Sequence, residues 1–250
     1  SIPTPLLTEI SALACIVSAG KIKPGTFAYF AAITNFSMPD GPFHSSAPIH
    51  GTTEKVSDKN GFFKYRFSLS NDQHQANGQL MAYYDTTGDS GNAPLDPIDV
   101  NDDVMSGIQS STPIPAYKEK AANMTFIQTE HFMTETGALF GYQYPLDHPL
   151  IKGHFPNNPV MMGVCQWQML EDAAAHYFTK FGHDGQTTLT CNATIFKSDF
   201  TPVCDIKSAT LIGQKQGDHW HVHSSSIKKV MFKQRVLPGD QLFIHLSNIH

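Results

Sequence analysis

His148-Pro149-Leu150-Ile151-Lys152-Gly153-His154-Phe155-Pro156-Asn157-Asn158-Pro159-Val160-Met161-Met162-Gly163 is the stretch on which the fold of this chain turns. It ends on a glycine and runs into helix-patterned sequence, Val164 to Phe181. Prolines at 156 and 159 fix φ and restrict the residues before them. His154 is therefore expected on a braced turn just ahead of a helix N-terminus. Such a terminus offers backbone N–H groups without helical partners and the positive end of the helix dipole. A base beside an anion or carbonyl binding point suits proton abstraction next to a carbonyl.

The run from Gly153 to Val164 resembles the signature of the 3-hydroxyacyl-(acyl carrier protein) dehydratases, a hotdog-fold family. That signature reads Gly-His-Phe-Pro-Gly-x-Pro-x-Met-Pro-Gly-Val, with an acidic residue on the central helix five positions after the last glycine. Three positions depart from it: Asn157 replaces a glycine, Met162 replaces a proline, and Gln168 stands at the acidic position. A glutamine cannot supply a carboxyl acid. Downstream, Phe232 to Asp240 is similar to the family's Phe-x-x-Pro-Val-x-Pro-Gly-Asp strand and turn. The resemblance is specific over about 148–181 and 227–246.

The N-terminus offers a carboxylate in compensation. Ile2 to Ala14 can be laid over the family's helix motif, with Pro3 on the proline, Thr4 on the glycine and Glu9 on the acidic position. Strand-like runs follow at 28–38, 49–56, 62–70 and 78–84, with a hairpin signal at 58–61. Residues 1–85 thus read as a first hotdog half that supplies an acid. Residues 86–122, rich in Gly, Asp, Ser, Asn and Pro, read as a linker or long loop. Residues 123–250 read as a second half that supplies the histidine. The expected fold class is α+β, a double hotdog of two central helices each wrapped by an antiparallel sheet. In the family the site lies between two hotdogs, so one chain would act as a pseudo-dimer with one live site.

The resemblance implies loss of water from a 3-hydroxyacyl thioester, giving a trans-2-enoyl thioester. It assigns His154 as base at C2, Glu9 as the acid for the 3-hydroxyl, and the Gly163 N–H as the donor to the thioester carbonyl. Phe155, Pro159, Val164, Trp167 and Gln168 would line the substrate site, with Met169, Phe178 and Phe196 as further linings of an acyl tunnel. No metal or organic cofactor is implied. The carrier would be acyl carrier protein or CoA, in fatty-acid or polyketide assembly. Lys152, Lys228, Lys229, Lys233 and Arg235 are candidates for a carrier-docking patch, with scattered solubilising charge as the plain alternative.

A net charge of −5 without a cationic cluster argues against a nucleic-acid surface. Hydrophobic residues at 40% allow a real core. Cys15, Cys165, Cys191 and Cys204 form no Cys-x-x-Cys pair, and Cys15 and Cys165 are expected as buried thiols. No apolar run reaches membrane-span length and no signal peptide is visible, so a reduced cytoplasm is expected. The start at Ser1 inside the aligned motif, and the end at His250, read as a piece of a larger polypeptide or trimmed ends. A homodimer of pseudo-dimers is a further expectation. His219, His221 and His223 share one strand face, but adjacent strand positions seldom converge on one ion. Asp99 to Asp103 lacks the glycine and glutamate of a calcium loop and reads as solvated. His148 reads as a strand-end structural residue.

Two rival functions stay open at this point. Hotdog proteins also include acyl-thioester hydrolases, although these usually lack the Gly-His-Phe-Pro turn. A non-catalytic acyl-binding or partner module is the other, favoured by Gln168 and Met162. The position of Glu9 separates them: an exposed, remote Glu9 would leave the site without an acid.

Overall fold

The computed structural model describes residues 2–20, 27–44, 46–59, 61–85, 95–116, 120, 124–150, 159–183 and 185–250. His154 and Phe155, like Lys152, lie outside the described residues.

Helix α1 (Thr4–Ala19) starts behind Pro3 and carries a proline in its first turn, where a missing N–H costs nothing. It ends at Gly20, which takes the left-handed conformation at φ 61° that a Cβ disfavours. Four strands follow: β1 (Phe27–Ser37), β2 (His50–Lys59), β3 (Phe62–Ser70) and β4 (Gln75–Asp85). The β2–β3 turn closes at Gly61, φ 78°. Strand β3 alternates buried Phe63, Tyr65, Phe67 and Leu69 with outward-facing polar residues, the period-2 pattern of a sheet with one covered face.

Next come the short helix α2 (Asp102–Ile108) and strands β5 (Thr112–Pro113), β6 (Thr129–Met133) and β7 (Gly137–Gln143). Helix α3 (Gly163–Phe181) precedes β8 (Gln186–Lys197), β9 (Pro202–Gln216), β10 (His219–Phe232) and β11 (Gln241–Ser247). The eleven strands among the described residues form one sheet in the order β2-β3-β4-β1-β10-β9-β8-β11-β7-β6-β5, every neighbour antiparallel. The seam between the halves is the β1–β10 pair, in register from Ala32↔Met231 to Ser37↔Ser226. One core joins α1, α3 and the strands beneath them. The architecture is the expected α+β double hotdog. The halves are not identical in strand order: the first strand after α1 lies at the seam, whereas the third strand after α3 does.

One expectation changes, and both long helices show features of their own. Residues 95–113, read as connection, carry α2 and β5. Asn101 caps α2 by accepting Val104 N–H at 3.0 Å, and Val104 closes a small cluster with Leu139, Phe196 and Phe243. These strand residues alternate with Ala138, Ile195 and Ile244 of the main core, so α2 covers the opposite sheet face. The apolar stripe of α1 points outward: Leu6, Ile10, Leu13 and Val17 are exposed, Val17 to 69%. The buried side is Thr4, Leu7, Thr8, Ser11, Ala12 and Cys15. Thr8 and Ser11 hydroxyls donate to the carbonyls one turn back, which lets small polar residues lie against β2 and β3 at little cost. Gly182 ends α3 at φ −76°, outside the left-handed region. A Cβ there would meet the Trp220 ring at 2.5 Å, so packing and not backbone freedom requires the glycine.

Candidate active site

The N-terminus of α3 is shaped by what precedes it. Met162 is the N-cap and carries no group that can accept a hydrogen bond well, so among the described residues no side chain caps the first-turn amides. Met161 N–H donates to Val236 O at 2.9 Å, tying this entry to the Phe232–Asp240 segment. Phe232 lays its ring against Gly163, where a Cβ would sit 3.1 Å from the ring. Phe30 of β1 packs against Phe232 at 5.9 Å, so residues from both halves wall the helix terminus.

Glu9 lies on α1 at 5% exposure, and its Oε2 is buried with no hydrogen-bond partner among the described residues. Burial raises its carboxyl to about 7. Its charge reaches the first turn of α3. The Cys165 thiol is pushed up to about 12, by its own burial first and then by Glu9 and Asp172, with Lys120 opposing. A neutral carboxyl near the N-terminus of α3 can give a proton and then hold the negative charge.

Sequence comparison places a known family on part of this chain. Residues 130–210 match the ApeI-like family, described as ApeI dehydratase. The match is about a third of the chain and runs from β6 into β9, through α3. The matched stretch includes residues 148–181, which carry the resemblance. No curated protein sequence matches. Among solved structures, a trans-AT PKS dehydratase domain from Brevibacillus brevis is 14% identical, with TM-score 0.42, covering 96% of this chain and 84% of that one. The dehydratase domain from the CurK module of Curacin polyketide synthase is 10% identical, with TM-score 0.41 and coverage of 96% and 83%. A tesB protein of Mycobacterium avium subs paratuberculosis is 8% identical, with TM-score 0.42 and coverage of 93% and 88%.

Within the stretch similar to the ApeI-like family the expected site residues take different places. Gly163 opens α3, and Val164 is buried beside it; Pro159, just upstream of the matched helix, is exposed. Gln168, half-buried, gives Nε2 to Asp172 Oδ1 at 3.2 Å. Asp172 also accepts Phe126 N–H at 2.7 Å and pairs with Lys120, so Gln168 is part of an anchor for the segment before β6. Trp167 is fully buried: its indole N–H donates to Ser224 Oγ at 2.8 Å and its ring meets Phe36 edge-on. Met169 and Phe178 belong to the main core, while Phe196 lies under α2 on the other sheet face and lines nothing near α3.

Of the docking candidates, Lys228 and Lys229 are exposed on β10. Lys233 is paired with Asp205 at 2.6 Å, and Arg235 stacks over Tyr29 at 4.3 Å. All four cysteines are buried and unpaired. Among the described residues no three His, Cys, Asp or Glu side chains converge as a metal site, and no helix is long and apolar enough to cross a membrane.

Sequence reading missed Glu171 and Asp172. Both are buried acids on α3, and their partners lie 53 and 46 residues away in sequence. Two adjacent acids inside an apolar helix pattern were the available signal.

Proposed function

We propose that this chain dehydrates 3-hydroxyacyl thioesters, on acyl carrier protein or CoA, to trans-2-enoyl thioesters. The observation that carries the reading is Glu9: a buried carboxyl, raised to about 7, with one oxygen lacking a hydrogen-bond partner among the described residues, on a helix that packs against α3 of the ApeI-like match. A structural carboxylate at that depth is normally fully hydrogen-bonded. A non-catalytic module has no use for an uncommitted acid, which weighs against that alternative.

In this scheme neutral Glu9 donates its proton to the departing 3-hydroxyl. The first-turn amide of Gly163 stabilises the enolate oxygen as charge develops on the thioester carbonyl. His154 removes the C2 proton. A thioester α-proton is weakly acidic, so base and oxyanion donor must act together. General-base help contributes roughly 10²–10⁴-fold, and losing one oxyanion donor costs about 2.7–4 kcal/mol. The Gln168 position cannot serve as a second acid, so a single productive site per chain is expected. The test is conversion of a 3-hydroxyacyl carrier protein to its enoyl form, read as loss of water by mass. Wild type should convert it and Glu9→Gln should not. Equal conversion by both would remove Glu9 from the mechanism.

A further inference from the structure

The turn at 236–240 grips both described flanks of the histidine-bearing segment. On the upstream side Tyr144 N–H donates to Asp240 O at 3.0 Å, and Gly239 N–H donates back to Tyr144 O at 2.8 Å. Gln143 Nε2 adds a bond to Gly239 O at 2.6 Å. On the downstream side Met161 N–H donates to Val236 O at 2.9 Å, two residues before α3 begins. From Tyr144 the upstream grip continues to His148, which is 2% exposed, lies 5.5 Å from the Tyr144 ring and accepts Leu150 N–H on Nδ1 at 3.2 Å. One five-residue turn therefore fixes the separation of positions 144 and 161.

The shape of that turn depends on one side chain. Asp240 Oδ2 accepts Leu237 N–H at 2.8 Å and pairs with Lys197 Nζ of β8 at 2.8 Å, while Asp240 N–H donates to Leu237 O. Gly239 sits at φ 94°, a conformation L side chains rarely adopt, and Val236 is fully buried. We propose that Asp240, held by Lys197, is a positioning residue: it sets the turn that ties position 144 to position 161 at the entry to α3. This rests on the dehydratase reading above. Asp240 touches no substrate. Its effect falls on alignment, and a misplacement of about 1 Å can cost about 10²-fold in rate.

The test is hydration of crotonyl-CoA by wild type, Asp240→Ala, Asp240→Asn and Gly239→Ala, each with its thermal midpoint. Asp240→Ala loses both the amide acceptor and the ion pair. It should lower kcat by about tenfold to 10²-fold with KM little changed. Asp240→Asn keeps an acceptor for Leu237 N–H and should recover most of that loss. Gly239→Ala distorts the same turn without touching Asp240 and should repeat the kcat loss, which keeps the test decisive if Asp240→Ala does not fold. Wild-type kcat in Asp240→Ala or Gly239→Ala overturns the positioning role and leaves the dehydratase reading standing. Loss of kcat and KM together, in step with a fallen midpoint, shows a merely structural turn and also overturns it. A wild type that cannot hydrate crotonyl-CoA overturns both.

Discussion

Ser224 gives both its backbone N–H and its hydroxyl to Glu171 Oε1, each at 2.9 Å. Ser224, paired with Leu211 of β9, sits beside the β-bulge of β10, where the ladder skips Ser225. Trp167 donates to the same hydroxyl, so α3 is bonded to the strand that forms the seam. The cost is a fully buried acid, raised to about 7 by desolvation despite the two Ser224 bonds.

The pH dependence of stability follows. The folded values of Glu9 and Glu171, both about 7, lie above the ordinary 4.5, so the folded state binds protons more tightly than the unfolded one. Their contribution is fully present below about 4.5 and is lost as pH rises to about 7. The loss is on the order of 3 kcal/mol per group. Urea midpoints at pH 5.5 and 8 should fall with pH for wild type and flatten in Glu171→Gln. An unchanged slope would show that Glu171 is not the group responsible.

Glu9 should set the alkaline limb of the pH profile. The proposed dehydration uses protonated Glu9, so kcat/KM should decline as pH rises through about 7. The overall reaction neither takes up nor releases a proton, so kcat/KM for hydration should follow the same profile. A kcat/KM that stays flat from about pH 6 to 8 would exclude Glu9 as the group being titrated.

Helix α1 offers a stability contrast. Leu7 is 2% exposed and Leu13 is 52% exposed. Leu7→Ala should cost about 2–5 kcal/mol. Leu13→Ala should stay within roughly 0.5 kcal/mol. Denaturant unfolding distinguishes the two, and a reversed order would mean that α1 is turned the other way on the sheet.

The contrast between these two leucines also marks what sequence can convey. Strand β3 was legible because alternation is local and a sheet face reads it directly. The stripe Leu6–Ile10–Leu13 announced a helix but not its orientation, since periodicity does not say which side meets the core. Small polar residues won that side because β2 and β3 approach it closely. Helix α2 was hidden in a run of turn-forming residues: its Asn101 cap is local, but the packing of Val104 on Leu139, Phe196 and Phe243 that holds it is tertiary. The Asp172–Lys120 and Glu171–Ser224 links span 52 and 53 residues and leave no local mark. A helix motif singled out Glu9 in the sequence; its burial and raised carboxyl left no mark there.

Gly163 tests the oxyanion donor without removing it. Gly163→Ala places a methyl 3.1 Å from Phe232, whose ring must shift off the helix terminus. The expected result is a loss of kcat of about tenfold or more with a near-wild-type thermal midpoint. Unchanged kcat would show that the terminus need not be this closely walled.

The most direct measurement is hydration of crotonyl thioester, on carrier protein and on CoA, by wild type beside Glu9→Gln and His154→Ala. A composite site predicts turnover by wild type and its loss, by about 10²-fold or more, in each variant. Full turnover by Glu9→Gln would contradict the account, because the acid would then come from elsewhere than the first half.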